Sequence, residues 1–413
     1  MAFSPFVNYG EHPAFKNFPS KNADGKFDGF QHFKKIDGYF KDAVSNPSGA
    51  HPYFDKFIEP EIAQISKLIH DTMSESDILK LPALKSLNNL FTVLKGEVQF
   101  LTEGKLYTPS EMSSELTSKG FAVKNLDQDK ILELWREIEP WRRSLMEKRN
   151  KRPQEMASCV VPLPQEGQKW KVICELLEES GVRPAINHSS RYPMDLEYAA
   201  LQLSHEDEQW WKNCYEDLGI TTSQGSYLHF DQDYNRIKAI LYLKPVKISN
   251  GPFSVIPNSE RFVPSYSREA FFKRLDAEIQ PLYLEDPEET SAYYRKHFKL
   301  QKFRKEFVKL PSVLQGTSHF GDDLLESSPV AQELLKNEQK IIGDLGQFVV
   351  FRGGKILHRG GMVEKGERWA IQFGFRMRDS SWKGLKTRVK GRIKAGLPED
   401  LVKIIRNSKS KLK

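Results

Sequence analysis

Hydrophobic positions recur at helical spacing over the first third of the chain and at strand spacing beyond residue 225. Ile62, Ile65, Leu68 and Ile69 follow Glu59-Pro60, and because proline is tolerated in a first helical turn, a helix is predicted to begin there. A second helical, linker-rich stretch extends to about residue 108. Ahead of both, FVNYGEHPAFKNF and GKFDGFQHFKKIDGYF are aromatic but irregularly spaced. Their aromatic content argues against disorder and predicts an extended arm packed over the rest of the protein.

From Ser113 the pattern changes. SSELTSKGFAVKNL predicts a short helix, a glycine stop and a strand, after which Asp127 or Asp129 can cap a long helix through LELWREIEPWRRSLMEKRN. Pro140 should kink or divide that helix. Beyond residue 225, YLHFDQDY, RIKAILYLKPV, GPFSVIPNS, GQFVVFRGGKILHRGG and RWAIQFGFRMR are short, rich in β-branched and aromatic residues, and punctuated by Gly, Pro and Asn. No helix-sized segment separates the first three, which favours an antiparallel jelly-roll over a parallel α/β sheet. Between Phe262 and Ile342 lies an interruption of about 80 residues with helical material such as REAFFKRLDAEI and SPVAQELLKNEQKII. A structureless loop of that length is disfavoured, so the segment reads as an insertion, about 263–342, that lines or covers a site.

Composition adds bounds. At 413 residues and 39% hydrophobic content the chain can bury a large core. It has neither a secretory pattern at Met1 nor an apolar run long enough to span a membrane, so a cytoplasmic protein is expected. Three cysteines, Cys159, Cys174 and Cys214, show no CxxC spacing and read as reduced, partly buried small side chains. The net charge of +7 is concentrated from Lys383 onward, where eleven Lys and Arg face only Glu399 and Asp400. The rest of the chain is therefore near neutral. The basic tail, 381–413, carries no recognisable nucleic-acid-reading motif and reads as a solvated terminus.

The candidate chemistry lies among the strands. Residues i and i+2 of a strand point to one face, so His229 and Asp231 of LHFDQD would present an imidazole and a carboxylate together, with Phe230 opposite. His358 follows the apolar strand QFVVF and a Gly-Gly turn, where a histidine has little structural purpose. Two histidines and a carboxylate form a facial triad that leaves coordination positions open, the usual ligand set of non-haem iron(II). Arg368 opens a strand with Ala370, Gln372 and Gly374 on its own face and Trp369, Ile371 and Phe373 on the other. An inward guanidinium needs a carboxylate, which it can grip with two parallel hydrogen bonds, and a dicarboxylate co-substrate would supply one. Asp233 shares a face with Asp231 if the strand continues. Arg376 reads as exposed or ion-paired, and His205-Glu206-Asp207-Glu208 as a solvated helix start. His319, Asp322 and Asp323 fall inside the insertion and read as a capped loop.

Taken in order, the leading segment ELTSKGFAVKNL, the HFD triplet with His358, NGPFSVIPNSE, the GDLGQFVVF strand and Arg368 resemble the phytanoyl-CoA dioxygenase group of 2-oxoglutarate-dependent oxygenases over about residues 113–376. The resemblance implies an α+β protein with a mainly β core, a double-stranded β-helix (jelly-roll, cupin-like) with flanking helices. On that basis residues 1–109 are an added N-terminal region and 110–380 the oxygenase domain. It implies Fe(II) held by His229, Asp231 and His358, 2-oxoglutarate held by Arg368, O2 as oxidant and ascorbate as a supporting reductant. The reaction implied is oxidation of an unactivated C–H bond in a small lipid-, sugar- or amino-acid-derived substrate, with release of succinate and CO2. A retained Asp231 favours hydroxylation or desaturation over the halogenation of relatives that have a small residue there. Gly360 departs from the group, which often has a hydroxyl residue at that place. The alternatives are a nucleic-acid-directed oxygenase, suggested by the basic tail, and a non-catalytic jelly-roll binding module. Oligomeric state is not written in the sequence.

Overall fold

The computed structural model describes residues 9–378 apart from interruptions at 19–29, 46–52, 100–107, 152–157, 207–214, 221–227, 232–235, 260–264, 284–299 and 316–324 and a few shorter ones. The basic tail, Asp233, Cys214, His319, Asp322 and Asp323 lie outside the described residues.

The N-terminal third is helical: α1 (Phe30–Ser45), α2 (Glu59–Thr72) and α3 (Lys80–Gln99). The expectation of an extended arm is corrected by α1. Phe33, Ile36, Phe40 and Ala43 are buried at steps of three and four residues, the spacing that puts them on one helical stripe. Helix α4 (Glu111–Ser118) begins at a reciprocal cap in which the Ser110 side chain accepts from the Ser113 amide and the Ser113 hydroxyl accepts from the Ser110 amide. It stops at Gly120, whose φ of 86° only glycine adopts cheaply, and hands over to β1 (Phe121–Asn125). Asp127, the first of the two expected caps, accepts from the amides of Asp129 and Lys130 to start α5 (Gln128–Glu137). Pro140 sits in the first turn of α6 (Glu139–Lys151), so the long helix is divided rather than kinked.

Next come β2 (Ser158–Pro162), α7 (Gly167–Glu179), α8 (Val182–Ser190), β3 (Met194–His205), β4 (Ile237–Tyr242) and β5 (Ser254–Ile256). The insertion contributes α9 (Tyr266–Tyr283), α10 (Gln301–Phe307) and α11 (Pro329–Lys336). The chain then closes through β6 (Gln339–Lys340), β7 (Gln347–Phe351), β8 (Leu357–Arg359) and β9 (Glu367–Met377). Among the described residues none of the helices is long and apolar enough to cross a membrane.

Among the described residues the strands form two antiparallel sheets, one of six strands in the order β1-β7-β4-β9-β3-β2 and one of three in the order β6-β5-β8. The alternation expected around Arg368 holds. Trp369, Ile371 and Phe373 join Leu201, Leu203, Leu241 and Phe348 on the outer face of the large sheet, packed on α5, α7 and α8. Ala370 joins Tyr242, Val349 and Phe351 on the inner face, packed against Phe253 and Val255 of the small sheet. A separate core joins α1, α2 and α3 to α9 and α10 of the insertion. The insertion thus divides its packing: α9 and α10 join the N-terminal helices, whereas Ala331 and Leu334 of α11 pack on Leu228, Phe230, Ile256 and Leu357, and β6 pairs with β5.

Candidate metal centre and carboxylate pocket

The LHFD segment is held by backbone at both ends. His229 and His358 exchange amide-to-carbonyl hydrogen bonds of 3.1 Å each, and the Asp231 amide donates to Gly353 O at 2.8 Å. Among the described residues of this segment, 228–231, the pairing is an isolated bridge between His229 and His358. The alternation nevertheless survives: Leu228 and Phe230 bury into a small cluster with Ile256 and Leu357, while His229 and Asp231 turn the other way. His358 stands in the middle of β8, in register with Val255 of β5. Its ring lies 4.7 Å from that of Phe351, 5.8 Å from that of Phe253 and 4.4 Å from that of His229.

These contacts gather the three side chains. One donor atom from each of His229, Asp231 and His358 lies within 4.8 Å of the others, and His358 Nε2 is 3.7 Å from Asp231 Oδ2. Two neighbouring ligands at about 2.1 Å from a metal sit about 3 Å apart, so this spacing suits a shared ion after a small contraction. His358 Nδ1 is 2.9 Å from Ile356 O. A carbonyl can only accept, so Nδ1 carries the proton and Nε2 presents its lone pair to the centre. Gly353 completes the cradle, since a β-carbon there would lie 1.8 Å from Asp231 Oδ2. Two neutral imidazoles and one carboxylate fit a divalent first-row metal.

Arg368 occupies the inner face of β9, in register with Ser204 of β3. It is buried, with Nη2 donating to Ser204 Oγ at 3.1 Å and Nη1 to Gly361 O at 3.4 Å. Neither partner is a carboxylate. Burial lowers its pKa, opposed only by Tyr242, which marks a guanidinium without an anion among the described residues. Tyr242 also ties this pocket to the metal centre: its hydroxyl accepts from the Phe253 amide at 3.0 Å, and the Phe253 ring faces His358. Along the same inner face Gln202 and Gln372 pair at 2.6 Å, so the β3–β9 side of the interior is polar. Above Arg368, a β-carbon on Gly360 would come within 3.5 Å of Nη2, which shows the glycine next to the guanidinium.

Lys238 was missed by sequence reasoning. Its Nζ lies 2.6 Å from Asp231 Oδ1. Burial would lower its pKa, but the charge of Asp231, Tyr198 and the hydrogen bond outweigh that and raise it, keeping the ammonium charged. The signal was available in RIKAILYL, where Lys238 falls in one alternating row with Ile240 and Tyr242.

Other candidates separate from the site. Arg376 is exposed and pairs with Glu197 at 3.1 Å, as expected of it. His205 is buried at the end of β3, correcting its reading as part of a helix start. Cys159 and Cys174 are free, and burial pushes both thiols up, away from nucleophilic use.

No family model and no curated protein matches this sequence. Solved structures similar to it include the non-heme alpha ketoglutarate dependent epimerase SnoN from nogalamycin biosynthesis, at 11% identity and TM-score 0.32 over 65% of this chain and 82% of that one. The carbocyclase SnoK from the same biosynthesis is similar at 10% identity and TM-score 0.34, over 66% of this chain and 85% of that one. HygX from Streptomyces hygroscopicus, with iron bound, is similar at 11% identity and TM-score 0.34, over 65% and 86%.

Proposed function

We propose that the protein is a mononuclear non-haem iron(II), 2-oxoglutarate-dependent oxygenase built on a double-stranded β-helix and acting on a small molecule, akin to the phytanoyl-CoA dioxygenase group. The observation that carries the reading is the gathering of His229, Asp231 and His358 within 4.8 Å, with a buried Arg368 on the inner face of the opposing sheet. A bound iron(II) ion would supply oxygen activation coupled to decarboxylation of the keto acid.

The chain's residues would act as follows. His229, Asp231 and His358 hold the metal from one side and leave the rest of its coordination sphere open. Ile356 O holds the proton on His358 Nδ1, which makes Nε2 the ligating nitrogen. Arg368 receives the far carboxylate of 2-oxoglutarate, helped by Ser204 Oγ, and the anion relieves the cost of its burial. Phe253 and Phe351 keep water from the centre. On this reading the oxygenase domain spans 110–380, with an insertion at about 263–342 whose α9 and α10 pack on the N-terminal helices and whose α11 packs behind the ligand segment.

The test is turnover. Purified protein with iron(II) and ascorbate is expected to convert 2-oxoglutarate slowly to succinate even before its substrate is known, and His358→Ala to abolish that conversion. Equal succinate formation by both proteins would reject the reading.

A further inference from the structure

Neither metal ligation nor co-substrate binding accounts for Lys238. It stands on the inner row of β4, in register with Phe351 on one side and Gly374 on the other. A lysine on an inward row is costly unless its charge is matched. The match is Asp231, through Oδ1 alone, at 2.6 Å. The other oxygen, Oδ2, faces His358 Nε2 at 3.7 Å, over the space that Gly353 leaves clear. With the Asp231 amide anchored on Gly353 O, the two carboxylate oxygens have different tasks fixed by different elements.

We propose that Lys238 is a positioning residue for the metal centre, engaging Asp231 Oδ1 so that the carboxylate ligates through Oδ2 alone and carries a fixed positive charge on its far side. The inference rests on His229, Asp231 and His358 being the metal ligands. Its first consequence is geometric: a carboxylate held to one oxygen cannot swing to two-oxygen ligation, so a position stays free for a chelating keto acid and for oxygen. Its second is electrostatic: a cation beside an anionic ligand disfavours the higher charge state of the metal, so iron is biased toward the ferrous form that the proposed activity requires.

The test uses the full chain loaded anaerobically with iron(II), and in parallel with cobalt(II), as wild type, Lys238→Met, Lys238→Gln, Lys238→Arg and His358→Ala. The two neutral variants are expected to favour the ferric form at least tenfold more than wild type, a fall of about 59 mV in a one-electron midpoint potential. They should also change the cobalt(II) visible spectrum, while Lys238→Arg restores both signals. Two neutral variants guard against one of them failing to fold. If a folded neutral variant retains metal with wild-type potential and spectrum, the role given to Lys238 is wrong while the ligand set stands. If His358→Ala binds both metals as wild type does, the ligand set itself is wrong and the inference falls with it.

Discussion

A β-carbon placed on Gly353 would sit 1.8 Å from Asp231 Oδ2, so Gly353→Ala must displace the carboxylate or the backbone that carries it. We expect that variant to keep its circular dichroism spectrum and lose at least tenfold in iron(II) affinity, read by equilibrium titration. Arg368→Ala should leave metal affinity intact and weaken 2-oxoglutarate binding by about 10- to 100-fold, since hydrogen bonds to charged groups contribute about 1.5–3 kcal/mol. The difference in legibility among these residues is physical. His229 and Asp231 were readable because a two-residue period needs no tertiary knowledge, and Arg368 because an inward guanidinium in an alternating strand demands a partner. Gly353 and Lys238 meet a carboxylate that only the assembled sheets bring near; the row of Lys238, Ile240 and Tyr242 marks the lysine as inward but does not name its partner, and nothing local marks Gly353.

Among the elements, the small sheet is secured by Glu338, just before β6. Its carboxylate accepts from Arg359 of β8 at 2.7 Å and from Ser254 of β5 at 2.5 Å, all within the interior. Burial alone would raise its pKa, but the hydrogen bond and charge of Arg359 win and hold it below the usual carboxylate range. A depressed carboxylate stabilises fully above its unfolded pKa of about 4.3 and loses that contribution as pH falls through the lower folded value. Glu338→Gln should thus cost about 3 kcal/mol at neutral pH, the range for breaking a buried pair. In denaturant melts its difference from wild type should shrink as the pH falls below about 4. A constant difference down to acid pH would contradict the assignment. Strand β9 was legible because its two faces differ, whereas β3 was not. MDLEYAALQLSH alternates in two pieces, Met194–Tyr198 and Leu201–Ser204, but the Ala199-Ala200 pair and the register shift between Leu196 and Tyr198 break the period between them. In α1 the stripe of Phe33, Ile36, Phe40 and Ala43 is blurred in the sequence by Tyr39 beside it and by Gly38, a weak helix former.

Among the described residues, buried side chains form cores on the outer and inner faces of the large sheet, a small cluster behind the ligand segment, and a helical core joining α1, α2 and α3 to α9 and α10. The helical core spans the expected boundary near residue 109, with α3 before it and α9 after it. Leu87 on α3 is fully buried in the same cluster as Phe271, Phe272, Leu275 and Ile279 of α9. Leu87→Ala is expected to cost about 2–5 kcal/mol in chemical denaturation. A chain beginning at residue 110 would expose the α9 face and should aggregate. A monomeric, cooperatively melting fragment from 110 onward would instead restore the simple two-domain picture. The long separation between these partners, residues 30–99 against 266–314, explains why neither segment's role could be read alone.

On the proposed function, one metal held by His229, Asp231 and His358 and the buried Arg368 guanidinium of the opposing sheet together bind 2-oxoglutarate. The most direct measurement is anaerobic calorimetric titration of 2-oxoglutarate into wild type with and without iron(II), and into iron-loaded Arg368→Ala. The account predicts saturable binding at one site per chain that requires the metal and weakens sharply without Arg368. Binding that is indifferent to iron(II), or unchanged in Arg368→Ala, would contradict it.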